Sequence, residues 1–572
     1  MKKKALFLSV FFMAALALGM FVGSWMPRDD DFFALRKNYQ IFGALYEELV
    51  VGYVDKLDPE KMMHTGIDAM LRDLDPYTNF YDEVDNADID IITRGRYGGV
   101  GLSAAVFNGK ITVTAPVEGT SSYKQGVRAG DVITQVAGQS TEGMTLDDVR
   151  NLLRGEPGTS VEITVRREGE PEPLRFVLMR EEVRLKNVAY SGFLGDDPAS
   201  GIGYIKLERF ANEAPAEVRK ALQELQKTGA LRGLILDLRD NPGGLLEAAV
   251  EITGLFVPQN AAIVSTRGRL PQSKHVYRTK QPPVAPDLPL VVLMNELSAS
   301  ASEIVGGAVQ DLDRGLVVGT RSFGKGLVQI VRPLPYNTSL KLTTARYYTP
   351  SGRSIQAIDY GEHDGSSVAI ADSLRRAFLT AHGRTVMDGR GIEPDVEADP
   401  GAPSALERAL DRRAAFLFYA NHFAAEHPLP ETGDDREARF FERFGAPDAE
   451  GDFVVTDETL ADFRTWLETQ GFSYRTAAER ELDELAEKLE ESGYDETSDE
   501  MERLREEIRR EKAADFERHR ERLKARLRDE ILARYLGESA QIRTSLLRDV
   551  QVRAAERILR DTAAYAQALG GR

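Results

Sequence analysis

The chain has 572 residues, of which 42% are hydrophobic and 29% are charged, and its formal net charge is −18. This length suffices for three or four domains with cores of their own, and the acidic balance argues against nucleic acid as a partner. Cysteine is absent, which excludes a disulfide framework and a lipid-modified cysteine. The sequence has no HExxH pattern and no His/Cys cluster, so it indicates no metal site, and we expect no cofactor.

The first 28 residues have the pattern of a membrane anchor or an export signal. Lys2, Lys3 and Lys4 precede the uncharged run from Ala5 to Trp25. Such a run can span a bilayer, and the basic flank predicts a cytoplasmic amino terminus. The small residues Val22-Gly-Ser24 also fit a signal-peptide cleavage site. We expect retention, which predicts a single-pass protein of the cytoplasmic membrane with the rest of the chain in the periplasm; cleavage would instead release the protein to the periplasm.

A helical region and a glycine-rich run come next. Residues 29–87 are predicted to be mostly helical, and the breaker sequence Leu74-Asp-Pro-Tyr-Thr78 suits a nearby domain boundary. The run Tyr97-Gly-Gly-Val-Gly-Leu102 could suggest a nucleotide loop, but no ordered G-x-G-x-x-G strand-loop-helix unit follows it. The sequence predicts instead a strand at 111–117, a helix at 145–153, and strands at 161–166 and 174–179.

That succession resembles a PDZ domain at residues 88–182. The resemblance implies that an extended peptide would be added as a strand and that backbone amides would hold its terminal carboxylate. Arg154 matches a position that in relatives helps link peptide binding to the active site, although a surface residue after a helix is an equally good interpretation. The residues expected to bind the peptide are Gly98, Gly99, Val100, Gly101, Leu102 and Arg154.

Residues 183–400 alternate between strand and helix patterns, which predicts an α/β core. The predicted elements are strands at 202–207, 234–238, 263–266 and 290–294, and helices at 215–225, 245–255 and from Ser300 onward. The Asn241-Pro-Gly-Gly244 turn lies between a buried strand and a helix, and such a turn leaves N–H groups free.

Ser300 is a candidate nucleophile, because it lies where the buried strand Leu290–Met294 gives way to a helix. There its hydroxyl would be exposed beside free N–H groups and the positive end of the helix dipole. None of the seven histidines lies in a recognisable catalytic motif, although a Ser-His-Asp triad is not excluded. Lys325 is the alternative base: a desolvated lysine can lose its proton near neutral pH, and Gln329 could orient its amine. Helix capping by Ser300 and a solvated turn around Lys325 are the structural alternatives.

Residues 401–572 are dense in Glu and Arg but carry a narrow apolar stripe at helical spacing. The stripe runs through Met501, Leu504, Ile508, Phe516, Leu523, Leu527 and Ile531, and it resumes after Gly537 at Ile542, Leu546, Leu547, Val550 and Ile558. This pattern predicts a helical extension that packs either on the body of the protein or on a second copy in a homodimer.

Several blocks, in order, resemble the carboxy-terminal processing peptidases, also called tail-specific proteases. The resemblance covers roughly residues 35–400. It implies a crotonase- and Clp-like core, a Ser300 nucleophile, a Lys325 base oriented by Gln329, and an oxyanion hole formed by the N–H groups of Gly244 and Ala301. One departure is Leu297, where the family commonly has glycine, and we expect it to alter the turn slightly without removing any reacting group. The blocks are residues 237–244, 291–311, 321–329, 348–356 and 389–395.

The sequence features distinguish between four functions from different classes. A crotonase-type acyl-CoA enzyme would need neither a PDZ domain nor an export segment, and a structural envelope protein would not need a buried base. A catalytically silent PDZ adaptor would be expected to lack Ser300 or Lys325, yet both are present. The sequence therefore predicts a serine endopeptidase that recognises the free carboxy termini of exported proteins and cleaves them through an acyl-enzyme.

Overall fold

A computed structural model describes residues 29–83, 95–360, 367–429, 436–444, 453–494, 498–536 and 538–570. The predicted anchor or signal, residues 1–28, lies outside this part. The described residues form two compact units, one ending at Pro76 and the other beginning at Tyr77.

The first unit consists of two helices, α1 (Asp29–Gly52) and α2 (Pro59–Arg72). Helix α2 begins where the sequence provides a cap: Asp58 accepts the N–H groups of Glu60 and Lys61, and Pro59 occupies the first turn, where no N–H is needed. Throughout the part of the chain that is described, each helix is either too short or too polar to cross a bilayer.

The second unit opens with strands β1 (Asn79–Tyr81) and β2 (Arg96–Gly99), followed by a small β domain. The strands of this domain lie in the order β3-β4-β5-β7-β8, and β6 pairs with β5. Its core includes the fully buried Val113, Val136 and Ile163. The elements are β3 (Leu102–Phe107), β4 (Lys110–Pro116), α3 (Ser121–Lys124), β5 (Val132–Val136), β6 (Gln139–Ser140), α4 (Leu146–Leu153), β7 (Ser160–Arg166) and β8 (Leu174–Met179).

Strand β9 (Glu181–Arg184) pairs with β2 and returns the chain to the α/β core. The main sheet has the order β10-β11-β12-β15-β16-β23, and all its pairs except β10-β11 are parallel. The elements are β10 (Val188–Phe193), β11 (Ile202–Leu207), α5 (Ala214–Lys227), β12 (Gly233–Asp237), α6 (Leu246–Thr253), β13 (Ala262–Arg267), β14 (His275–Arg278), β15 (Leu290–Met294), α7 (Ala301–Asp311), β16 (Leu316–Gly319), β17 (Leu327–Pro333), β18 (Ser339–Tyr348), β19 (Ile358–Asp359), β20 (Val368–Ala369), β21 (Ala377–Leu379), β22 (Thr385–Met387) and β23 (Val396–Glu397).

Both faces of the main sheet are covered, which explains the continuous apolar runs of its central strands. Every residue of β12, β15 and β16 is buried. Helices α5, α6 and α7 pack on one face, together with a second, antiparallel sheet built around β13, β17 and β18. The predicted α/β class of the core is confirmed.

The carboxy-terminal helices separate into two groups. Among the described residues, the helices at 405–426, 436–444, 457–469 and 515–535 surround an aromatic cluster of their own, which includes Phe416, Phe440 and Phe463. The last three pack on the free face of the main sheet, where Val552, Ala555 and Leu559 contact its buried side chains. The helices are α8 (Ala405–Arg412), α9 (Ala415–Glu426), α10 (Arg436–Phe444), α11 (Asp457–Thr469), α12 (Ala477–Glu491), α13 (Ser498–Ala513), α14 (Asp515–Arg518), α15 (Arg520–Tyr535), α16 (Glu538–Ser545), α17 (Val550–Arg560) and α18 (Thr562–Ala568).

Candidate active site

Ser300 lies in a strained turn between strand β15 and helix α7. Its backbone has φ 55° and ψ −111°, a conformation that serine rarely adopts and that surrounding contacts must hold in place. The Ser298 hydroxyl fixes the turn by donating to the Leu238 carbonyl (2.8 Å), and the Tyr347 hydroxyl donates to the Ser300 carbonyl (3.1 Å). Ser300, the predicted nucleophile, is therefore half-buried in a turn that hydrogen bonds to buried residues hold in place.

Leu297 does not disturb this turn. It is 55% exposed, and its N–H donates to Oδ1 of Asn295 (3.2 Å). It is also not one of the residues with positive φ, so this position has no need of glycine.

Glu303 brings the backbones of Ser300 and Lys325 together, although the sequence did not single it out. Oε2 of this fully buried carboxylate accepts both the Ser300 N–H (2.8 Å) and the Lys325 N–H (2.9 Å), so the two amides lie within two hydrogen-bond lengths of each other. Oε1 accepts the Ser322 hydroxyl (2.6 Å) and the Gly324 N–H (2.7 Å). Burial raises the pKa of Glu303 to about 7, against the opposing effect of these hydrogen bonds.

Lys325 lies two residues before strand β17, in a segment that approaches neighbouring backbone closely. The Gly326 N–H donates to Oε1 of Gln356 (2.7 Å), and a Cβ at Gly326 would lie 2.9 Å from the Gln356 nitrogen. The side-chain nitrogen Nζ of Lys325 lies 4.3 Å from the ring centroid of Tyr77. Tyr77 was not predicted as a site residue, because in the sequence it is only part of the breaker sequence at residues 74–78.

Gln329 lies on strand β17, four residues beyond Lys325. Its Nε2 donates to the Thr343 hydroxyl (3.1 Å) on the adjacent strand β18. This bond fixes the amide of Gln329, while its expected role in orienting the lysine amine stays a prediction.

The Asn241–Gly244 turn is hydrogen-bonded directly to the nucleophile turn, the segment from Asn295 to Ser300 between β15 and α7. The Asn241 carbonyl accepts the Ala299 N–H (3.0 Å) and the Ser302 hydroxyl (2.9 Å). Gly243 has φ 101°, and a Cβ there would lie 2.8 Å from the Ala301 nitrogen and 2.9 Å from the Ser300 Cβ. Within the described part of the chain, the N–H groups of Gly244 and Ala301 have no hydrogen-bond acceptor. Both donors are therefore open to an acceptor, and their expected role as an oxyanion hole stays a prediction.

The glycine-rich loop presents two further backbone donors. Gly98 and Gly99 pair with β9, whereas the buried N–H groups of Val100 and Gly101 find no acceptor among the residues described. Adjacent strand β3 pairs only with β4 in the described structure, so its other edge is open at Leu102 and beyond. This combination suits an added strand that ends in a carboxylate.

Arg154 lies at the base of this loop. It is the C-cap residue of α4, and its guanidinium carbon lies 5.9 Å from the Tyr97 ring centroid. The next residue, Gly155, donates its N–H to the Gly98 carbonyl (3.3 Å). Arg154 therefore lies next to the glycine-rich loop, and its expected linking role stays a prediction.

Three families match this chain. Peptidase family S41 matches residues 201–362, a PDZ domain family matches residues 112–167, and the family described as "Probable PDZ-protease, C-terminal helical domain" matches residues 406–559. The S41 match includes Gly244, Ser300, Lys325 and Gln329.

Individual relatives agree with these matches. A carboxy-terminal-processing protease of Bartonella bacilliformis is 37% identical over 383 residues, which cover 64% of this chain and 86% of the relative. A probable CtpA-like serine protease of Staphylococcus aureus is 33% identical over 316 residues, which cover 54% of this chain and 61% of the relative. Among solved structures, the photosystem II D1 C-terminal processing protease has 29% identity and a TM-score of 0.35, covering 64% of this chain and 95% of that one.

Proposed function

This chain belongs to the carboxy-terminal-processing serine proteases of peptidase family S41, and on that premise we propose that it cleaves exported proteins with a Ser300–Lys325 dyad after its PDZ domain captures their free carboxy termini. The observation that carries the dyad is the single carboxylate oxygen of Glu303, which accepts the N–H groups of both residues. A buried carboxylate with four donors holds two distant segments in one fixed geometry.

The chemistry follows from this arrangement. The neutral Lys325 amine takes the proton of the Ser300 hydroxyl while Oγ attacks the scissile carbonyl carbon. The carbonyl oxygen becomes an oxyanion and is stabilised by the N–H groups of Gly244 and Ala301. As the intermediate collapses, the Lys325 ammonium returns the proton to the leaving amine. Water then attacks the acyl-enzyme ester with Lys325 again as base, which releases the new carboxy terminus and restores Ser300.

The test of the dyad compares Ser300→Ala, Lys325→Arg and Gln329→Ala with Lys274→Ala, a control at an exposed lysine. Arginine keeps the positive charge but cannot act as a base near neutral pH. We expect peptide cleavage to fall by at least about a thousandfold in the first two variants and by less in Gln329→Ala. A fluorophosphonate should label Ser300 in wild type but not in Lys325→Arg. Near-normal turnover in Lys325→Arg would exclude the lysine as base, and an inactive wild type would favour a PDZ adaptor.

The proposal that tails are captured is supported by the open edge of β3 and the unpaired donors of the glycine-rich loop. Leu102 and Ala104 of β3 pack against the apolar core of this domain beside Met144 and Leu146. We infer that a tail added along this edge would meet apolar side chains, which favours tails that end in apolar residues.

We also propose that the substrates are exported proteins because residues 1–28 carry the pattern of an anchor. If residues 5–25 are retained, the full chain should stay with membranes after carbonate washing, and a chain that begins at Asp29 should be soluble and active. A mature amino terminus directly after Ser24 would replace the anchor with a cleaved signal.

A further inference from the structure

A buried charged network joins the end of strand β12 to the carboxy-terminal helices. Asp237, the last residue of β12, is completely buried and accepts the Tyr204 hydroxyl (2.6 Å). Arg239 contacts the same carboxylate through Nε (3.0 Å) and Nη2 (2.5 Å). Burial alone would raise the pKa of Asp237, but the charges of Arg239 and Lys206 outweigh it and hold the pKa well below its usual range.

Asp549 completes this network from the far end of the chain. Its Oδ2 accepts Nη1 of Arg239 (2.6 Å), and Oε1 of Gln551 accepts the same nitrogen (2.9 Å). Its other oxygen, Oδ1, caps helix α17 by accepting the N–H groups of Gln551 (2.8 Å) and Val552 (3.0 Å). The two oxygens of one side chain therefore have separate tasks: one begins a helix and the other binds the core.

Arg239 lies between the end of β12 and the Asn241–Gly244 turn, which is called the oxyanion turn below. Its carbonyl accepts Nζ of Lys206 (2.7 Å). The next residue, Asp240, has φ 61°, and it exchanges hydrogen bonds with the side chain of Asn295 in the nucleophile turn, 3.0 Å and 2.8 Å long. A shift of Arg239 would therefore reach Gly244 along the five-residue segment 240–244, which has positive φ at Asp240 and Gly243.

We propose that Asp549 is a positioning residue for the oxyanion hole, so that the last helices of the chain fix the geometry of catalysis as well as cover the sheet. This inference rests on the proposed function, because it assumes that the Gly244 N–H stabilises the oxyanion. The link is specific in its chemistry: an amide at position 549 can accept either the helix N–H groups or the Arg239 guanidinium, but it cannot do both without the second oxygen.

The test compares Asp549→Asn with Asp561→Asn. Asp561 is a matched control, because it caps α18 through the N–H groups of Ala563 (3.1 Å) and Ala564 (2.9 Å) without joining the Arg239 network. For a short amidated peptide, we expect kcat of Asp549→Asn to fall about ten- to a hundredfold with KM nearly unchanged, and Asp561→Asn to match wild type. Arg239→Lys should show the same defect, and the double variant should be no worse than either single variant.

A peptide boronate separates positioning from general destabilisation. Its adduct with Ser300 directs an oxygen into the oxyanion hole, so its affinity should fall in Asp549→Asn by the same factor as kcat/KM. Equal boronate affinity in Asp549→Asn and wild type would overturn the inference, as would a loss of kcat that follows only the fraction of unfolded protein. If Asp549→Asn does not fold, Asp549→Ser keeps the cap without the charge and is judged in the same way. Failure of the boronate to inhibit wild type would instead contradict the proposed function.

Discussion

At the scale of the residue, the site depends on Glu303 more than the sequence suggests. Ser300 and Lys325 could be proposed as candidates, because each carries a reactive group and lies in a block that resembles the family's motifs. A glutamate at the third position of a helix ordinarily indicates a capping box. That its other oxygen accepts Ser322 and Gly324 depends on a loop that folds back from about twenty residues away, which no local pattern reveals. Tyr77 beneath Lys325 was missed for the same reason.

Glu303→Gln should change how stability depends on pH. The pKa of Glu303 is raised from 4.5 to about 7, so between these values the folded protein binds more protons than the unfolded chain. The wild-type free energy of unfolding should therefore fall as pH rises from about 4.5 to about 7, by on the order of 3 kcal/mol from this group. Glutamine cannot titrate, and the variant should lack this component.

The measurement is the thermal unfolding midpoint of both proteins from pH 5 to pH 8. As pH increases, the unfolding midpoint of wild type should fall relative to that of Glu303→Gln. Glu251→Gln, on an exposed face of α6, serves as the control for a surface amide. Parallel curves for wild type and Glu303→Gln would contradict the assignment.

At the scale of the element, the core strands and helices were predictable and the turns between them were not. The strand predicted at 290–294 has these bounds, and the helix predicted at 215–225 extends over Ala214–Lys227. Buried apolar runs determine such elements. The oxyanion turn depends instead on hydrogen bonds of Asn241 to two separate segments, and sequence periodicity contains no information about them.

Gly243→Ala should disable the oxyanion turn while leaving the fold intact. A Cβ there would lie 2.7 Å from the Ala299 carbonyl oxygen and 2.8 Å from the Ala301 nitrogen, and backbone atoms cannot move aside as a side chain can. We expect kcat to fall by about a hundredfold or more. Gly229→Ala is the matched control: its φ of 70° is also positive but its surroundings are open, so it should lose about 1 kcal/mol of stability and no activity. Wild-type kcat in Gly243→Ala would show that this turn does not form the oxyanion hole.

At the scale of the whole molecule, the proposed sites for tail recognition and for cleavage lie in different domains of one compact unit. The sequence indicated both domains and the helical extension. It did not show that the extension divides between an aromatic cluster of its own and the core sheet, because both groups of helices carry the same kind of apolar stripe.

A substrate with a free apolar carboxy terminus should be cleaved about ten to a hundred times faster than its carboxamide, since amidation removes a charge worth about 1–3 kcal/mol on backbone donors. In Gly101→Ala, a Cβ would lie 2.3 Å from the Thr120 hydroxyl oxygen, so the loop should distort and this preference should vanish. Fluorophosphonate labelling of Ser300 provides the control for an intact core. Equal cleavage of both tails by the wild-type protein would exclude tail recognition by this domain.

The cover that α17 and α18 form over the main sheet has a consequence for biosynthesis. A ribosome completes the reactive residues long before it reaches Val552 and Leu559, the side chains that close the second face. Until then the apolar strands β12 and β15 have no partner on that side, and the Arg239 guanidinium has no Asp549. The newborn enzyme should therefore reach its working form only after residues 549–559 have been synthesised, which would delay the cleavage of neighbouring chains until its core is covered.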